Sequence, residues 1–228
     1  MTIVAVVDDH TLFAEAVGVT LTREGYDVRR VPVKERAISG QLLTGVLRMR
    51  PGIAILDLDL GVGGDGRRLV QPLTHAGISV VVVTGSNDRA SWGECLRDGA
   101  RAVLSKSAQL DDILNAIRLV ADGRKVHSTE ETQSLITHFY TEQEAVKALR
   151  RKLELLSSRE TEVLGHLMEG RPVREIAHFS FVSEATVRTQ VKSILAKLEV
   201  TSQLAAVGAA NRVGWLPPPR AHTGPRDD

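Results

Sequence analysis

Over residues 1–122 short apolar runs alternate with amphipathic stretches. The runs are Ile3–Val7, Val28–Val33, Ile53–Leu56, Val80–Val83 and Ala102–Leu104. The first, third and fourth are nearly unbroken Val, Ile, Leu and Ala, the composition of strands covered on both faces. Between and after them, stretches near 11–24, 35–49, 67–76, 89–98 and 109–122 repeat their apolar residues at helical spacing. Five strands alternating with five helices predict a doubly wound α/β domain with a five-stranded parallel sheet. Side chains that do chemistry then belong at the carboxyl ends of the strands.

After Gly123 the strand signal stops. Ser128 with Glu131 and Thr141 with Glu144 each have the spacing of a capping box, which predicts two helix starts. The second of these helices carries Val146, Leu149, Leu153 and Leu156 on one stripe, either a dimer contact or, as amphipathic helices more often use it, packing within its own domain. From Leu156 to Arg212 every segment reads as helix, with Ser157 and Glu160 forming a third capping box and Ser183 capping a later helix. The expected division is 1–122, a helical linker 123–154, an all-α four-helix domain 155–212, and a Pro-rich, disordered tail 213–228.

Composition narrows the class. The chain has 228 residues with 43% hydrophobic and 25% charged, ordinary globular values. A net charge of +1 means that any nucleic-acid binding must come from a local patch. The single cysteine, Cys95, excludes an intrachain disulfide and a Cys-based zinc cluster; it is read as buried packing. The opening MTIVAVVDDH turns acidic too soon for a signal peptide, and no run of about 18 apolar residues is present to span a membrane. A cytoplasmic location is expected.

Asp8 and Asp9 follow the first strand, Asp57 the third, Thr84 ends the fourth and Lys106 follows the fifth. In a doubly wound sheet the first and third strands can be central neighbours, so these side chains converge on one edge. Three carboxylates there repel one another, and a hard divalent cation such as Mg²⁺ relieves that repulsion. A carboxylate beside such a cation can accept a phosphoryl group, with the Lys106 ammonium neutralising developing charge and the Thr84 hydroxyl bonding the new phosphate. Each residue taken alone is more simply a turn, cap or surface group. Asp57-Leu58-Asp59 would also open a phosphatase of the haloacid-dehalogenase type, but that leaves Asp8 and Asp9 without a role.

The segments VAVVDDH, AILDLDL, VVVVTG and GARAVLSKS make residues 1–122 resemble a response-regulator receiver domain, which has a flavodoxin-like sheet. The resemblance implies that Asp57 is the phosphoacceptor and that Asp8, Asp9, Asp57 and the backbone carbonyl of Asp59 hold Mg²⁺. Thr84 and Lys106 become the switch hydroxyl and the phosphate-binding lysine. The family usually has Met-Pro where Leu60-Gly61 stands, in a glycine-rich loop read as flexible. It usually has Tyr or Phe at the position of Val103, three residues before the lysine, and a valine has no ring to turn inward.

In the helical domain, Val187, Val191, Ile194, Leu195 and Leu198 share one side of a helix expected over Glu184–Leu198. Arg188, Thr189, Lys192, Ser193 and Ala196 share the other, a small basic face shaped for a major groove, or else an ordinary solvated one. LSSRETEVL, EIA, VSEATVRTQV and ILAKL are similar to the LuxR-type helix-turn-helix. The resemblance implies that Arg188, Thr189, Gln190 and Lys192 face base edges, that Lys197 lies nearer phosphate, and that the last helix, with Gln203, Leu204 and Val207, forms the dimer surface.

Receiver followed by LuxR-type module resembles the NarL/FixJ class of response regulators. The implied protein is not an enzyme. It is a transcription regulator phosphorylated by a histidine kinase, and it binds double-stranded DNA as a homodimer with half-sites about one helical turn apart. The alternative, motivated by Val103 and the 60–66 loop, is a phosphorylation-independent DNA-binding protein. Its receiver would be a dimerisation or ligand-sensing scaffold.

Overall fold

A computed structural model describes residues 1–33 and 39–217. They divide into two compact units, one within Met1–Thr141 and the other beginning at Glu142.

The first unit is a five-stranded, wholly parallel sheet in the order β2-β1-β3-β4-β5. The strands are β1 Ile3–Val7, β2 Asp27–Val31, β3 Ile53–Leu56, β4 Ser79–Thr84 and β5 Ala102–Ser105. They alternate with α1 Thr11–Arg23, α2 Ser39–Met49, α3 Arg67–His75, α4 Arg89–Arg97 and α5 Leu110–Ala121. The period of two along the strands divides the core. Ala5, Val7, Ala54, Leu56, Val80 and Val82 join one cluster, and Val4, Val6, Ile53, Ile55, Val81 and Val83 join the cluster on the other face. That is why these three runs contain no polar alternation. Strand β2 is an edge, and its Arg29 and Arg30 are exposed, so it ends two residues sooner than its apolar pattern suggested. The start of the helix expected at 35–49 lies outside the described residues up to Ser39.

The order reverses between β1 and β3, which pair with Val7 opposite Leu56. The loops that leave these strands diverge there, and the crevice between them is where ligands bind in sheets of this type.

The two helix starts expected after Gly123 are one. Ser128 accepts a hydrogen bond from the Glu131 amide (3.0 Å) and starts α6, which runs unbroken over Thr129–Glu154. Thr141 caps nothing; its hydroxyl donates to the Thr137 carbonyl inside the helix (3.0 Å). The capping-box spacing also occurs within helices, where a threonine can bond back one turn instead.

In the second unit α7 Ser158–Met168, α8 Val173–Phe179, α9 Glu184–Leu198 and α10 Gln203–Arg212 enclose one core. Leu164, Ile176, Val187, Ile194, Ala206 and Ala210 are fully buried in it. Val146, Leu149, Leu153 and Leu156 pack into this core, so the stripe serves its own unit. Ser157 and Glu160 form a complete capping box at α7, and Ser183 and Ser202 cap α9 and α10. Gly170, at φ 77°, closes α7. Helix α8 begins at Val173, after Pro172 supplies an extended N-cap residue. The expected disordered tail does not begin at 213, since Val213 is buried in this core and Trp215 packs on it; residues 218–228 lie outside the described part.

Candidate functional site

The ends of β1, β3, β4 and β5 bring Asp8, Asp57, Thr84 and Lys106 together. Asp8, Asp57 and Thr84 are buried. The Lys106 ammonium donates to Asp57 Oδ2 at 2.6 Å and to Asp8 Oδ1 at 2.9 Å. Asp57 Oδ1 accepts the Asp59 amide (3.2 Å), and Asp8 Oδ1 accepts the His10 amide (2.7 Å). Burial pushes the Asp8 carboxyl above its ordinary pKa, against the opposing effect of Lys106. Burial pulls the Lys106 ammonium the other way, but the hydrogen bonds it donates to Asp57 and Asp8 outweigh that and raise its pKa.

Asp8, Asp9, His10 and Asp57 offer ligand atoms that all lie within 4.8 Å of one another. The donor set is three carboxylates and one imidazole, and the oxygen-rich part suits a hard cation. His10 is exposed at the mouth of this cluster. Its Nδ1 lies 2.7 Å from Asp9 Oδ1 and 3.2 Å from Lys106 Nζ, so it belongs to the pocket's rim. Its position directly after the acidic pair was the available signal. The Asp59 carboxylate turns away and accepts the Gly61 amide (3.0 Å).

The glycine-rich loop is closed by hydrogen bonds. A 3-10 turn covers Gly61–Gly63, and Asp59 bridges Asp65 across it. Two positions need glycine for different reasons: Gly61 sits in the left-handed region at φ 53°, and at Gly66 a Cβ would lie 2.1 Å from the Asp57 carbonyl oxygen. A groove of about 330 Å³ beside the pocket is lined by Asp59, Gly61, Arg67, Thr84 and Ser91. Thr84 Oγ1 accepts the Ser86 amide at 3.2 Å. Val103 is buried, and its amide donates to His127 Nε2 (3.1 Å). Cys95 is buried too, which pushes its thiol up to about 12.

On α9, Arg188, Thr189 and Lys192 are exposed, and Gln190 is half-buried. Arg188 reaches back to Glu184 (3.2 Å). Lys192 has no ion pair or hydrogen bond among the described residues. Ser193 does not face outward. Its hydroxyl donates to Glu160 Oε1 (2.6 Å), and Lys197 bonds Glu160 Oε2 (2.7 Å) and the Leu155 carbonyl (3.0 Å). The charge of Lys197 is therefore answered within the domain, apart from the outward face. On α10, Gln203 and Leu204 are exposed, while Val207 packs against the core.

A parallel sheet with an acidic crevice, followed by a helix-turn-helix whose third helix presents a basic face, defines a signal-receiving DNA-binding regulator. Residues 4–118 match the family described as response regulator receiver domain, and residues 154–210 match bacterial regulatory proteins, luxR family. The chain is 30% identical to a Pseudomonas aeruginosa protein named as a transcriptional regulator, over 93% of this chain and 98% of that one. It is 27% identical to the transcriptional regulatory protein DegU of Brevibacillus brevis, over 93% and 94%. In fold it is similar to RcsB from Salmonella enterica serovar Typhimurium, solved bound to promoter rprA with the phosphomimetic BeF3⁻. The TM-score is 0.50 at 24% identity, over 93% of this chain and all of that one. The chain belongs to the NarL/FixJ-type response regulators, transcription regulators with a receiver and a LuxR-type DNA-binding domain. Among the described residues no helix is long and apolar enough to cross a membrane.

Proposed function

We propose that Asp57 accepts a phosphoryl group from the phosphohistidine of a cognate kinase and that this controls DNA binding by the second domain. The observation that carries the reading is Lys106 Nζ at 2.6 Å from Asp57 Oδ2 in a pocket that gathers two further carboxylates. A carboxylate oxygen of Asp57 attacks phosphorus as the phosphorus–nitrogen bond breaks, and the imidazole leaves. The Lys106 ammonium, already between Asp57 and Asp8, neutralises charge on the transferring group. Asp8, Asp9, Asp57 and the Asp59 carbonyl would hold Mg²⁺, which when bound supplies charge neutralisation for the phosphoryl oxygens. The Thr84 hydroxyl then bonds the phosphoryl group.

In the DNA-binding domain, residues 155–212, Arg188, Thr189, Gln190 and Lys192 read base edges in double-stranded DNA. Gln203, Leu204 and Val207 pair two copies. Helix α6 and its flanks, 123–154, serve as the linker from the receiver, 1–122. The reading places the protein in the cytoplasm.

Intact mass after incubation with Mg²⁺ and acetyl phosphate tests the acceptor. The wild type gains one phosphoryl group and Asp57→Asn gains none; labelling that persists in the variant would falsify the assignment. A second reading, a receiver that acts only as a scaffold, draws on the buried Val103 and its bond to His127. It requires DNA affinity to stay constant when the donor is added.

A further inference from the structure

Val103 stands where a receiver usually carries an aromatic ring, yet an aromatic side chain is wired to the same loop from another direction. Ser86 follows β4 by two residues. Its amide donates to Thr84 Oγ1 (3.2 Å), and its carbonyl accepts the indole N–H of Trp92 on α4 (2.9 Å). One residue thus joins the hydroxyl at the acidic pocket to a ring on the next helix. Half-buried Trp92 packs on the core cluster that contains Val103, Leu96 and Leu135.

The neighbouring position shows what α4 touches. A Cβ at Gly93 would lie 2.1 Å from the carbonyl oxygen of Leu135 and 3.0 Å from Phe139 Cβ. Only glycine lets α4 and α6 meet backbone to backbone. Leu135 and Phe139 are buried there, and the Arg97 guanidinium covers the Phe139 ring at 4.5 Å. All these residues belong to the unit Met1–Thr141.

We propose that Trp92 is a positioning residue that passes the state of Thr84 to the α4–α6 contact at Gly93, in place of the β5 aromatic that Val103 does not supply. The inference rests on Asp57 being the phosphoacceptor. When the Thr84 hydroxyl turns to a phosphoryl oxygen, its bond to the Ser86 amide is given up and the 84–88 loop moves. The indole N–H follows its carbonyl partner through their 2.9 Å hydrogen bond. Helix α4 moves with the indole. Gly93 leaves no side chain to absorb the shift, so α6 is displaced directly.

The chain has two tryptophans, Trp92 and Trp215. In full-length Trp215→Phe, Trp92 is the only tryptophan, and its indole is excited selectively over the two tyrosines. Beryllofluoride with Mg²⁺ shifts its emission, and adding Asp57→Asn abolishes the shift. Trp92→Phe keeps the ring but lacks the N–H. It takes up phosphoryl from acetyl phosphate like the wild type but loses a donor-dependent gain of about tenfold in affinity for a duplex selected from random sequence. Gly93→Ala keeps the uptake and loses the same gain, because its Cβ forces α4 away from the Leu135 carbonyl. Normal uptake with unchanged Trp92 emission, or a full gain in Trp92→Phe, overturns the proposal and leaves the acceptor assignment standing. Absence of uptake in the wild type by intact mass overturns the assignment and the proposal together.

Discussion

The two units each hold a buried carboxylate against a lysine at nearly one distance, 2.6 Å for Asp57 and Lys106 and 2.7 Å for Glu160 and Lys197. Their surroundings differ in charge balance. Lys106 bonds two of the three carboxylates that share its pocket, and the His10 ring lies at the rim. Around Lys197 stands one carboxylate with a full set of donors. Glu160 accepts the Ser157 amide (2.6 Å), the Ser193 hydroxyl and the Lys197 ammonium. Burial alone would raise its pKa, but those bonds hold it down to about 2. A carboxylate whose partners equal its charge is a structural joint, here tying the cap of α7 to α9. A pocket with surplus negative charge is left able to gain a cation and a phosphoryl group.

The largest effect falls on the structural joint. Glu160→Gln keeps the shape but not the charge, and unfolding of the full chain in urea becomes easier by about 2–3 kcal/mol at pH 7. The pH dependence has a definite sign. Glu160 is lowered in the folded state, so its contribution is complete above its ordinary value of 4.5 and is lost as pH falls through about 2. Acid unfolding of the wild type is therefore steeper below pH 4.5 than that of the variant. Equal slopes would mean that Glu160 is not the titrating joint.

The outward face of α9 comes next. Arg188→Ala and Lys192→Ala each weaken binding to a selected duplex by roughly 1–3 kcal/mol, read by fluorescence anisotropy. Lys197→Ala is different in kind, because its ammonium is bonded to Glu160. It lowers stability along with affinity, whereas the two outward substitutions leave the unfolding midpoint in place. Unchanged affinity in Arg188→Ala and Lys192→Ala together would remove α9 from the DNA interface.

This contrast also shows where the sequence was legible. The strand cores, Asp8, Asp57, Thr84 and Lys106 follow from local pattern, because a buried parallel strand leaves little choice of residue and its carboxyl end is a fixed place. Periodicity places Ser193 on the outward face because it reports angle and not partners. The acceptor that turns its hydroxyl inward, Glu160, lies on another helix, distant in sequence. Thr141 looked like a cap for a related reason, since its spacing to Glu144 is the same inside a helix as at its start. The Trp92–Ser86–Thr84 bonds and the Gly93–Leu135 approach are contacts between segments whose pairing no periodicity encodes.

The smallest effect is the one that separates the two sites most cleanly. Burial raises the Asp8 pKa above its ordinary 3.8. A raised group favours folding below its unfolded value, and that contribution is lost as pH rises through its folded value, so at neutral pH the ionised Asp8 works against the fold. Asp8→Asn removes one of three crowded carboxylates and keeps an oxygen to accept the His10 amide. In chelator at pH 7 this variant gains about 1 kcal/mol, a rise in Tm of roughly 2–4 °C. Added Mg²⁺ then protects it less than the wild type, because a ligand is gone. The same carboxylate-to-amide change thus stabilises one site and destabilises the other. If Asp8→Asn instead lowers Tm in chelator, as Glu160→Gln does, the acidic pocket is a balanced ion pair and the surplus charge on which its reactivity depends is absent.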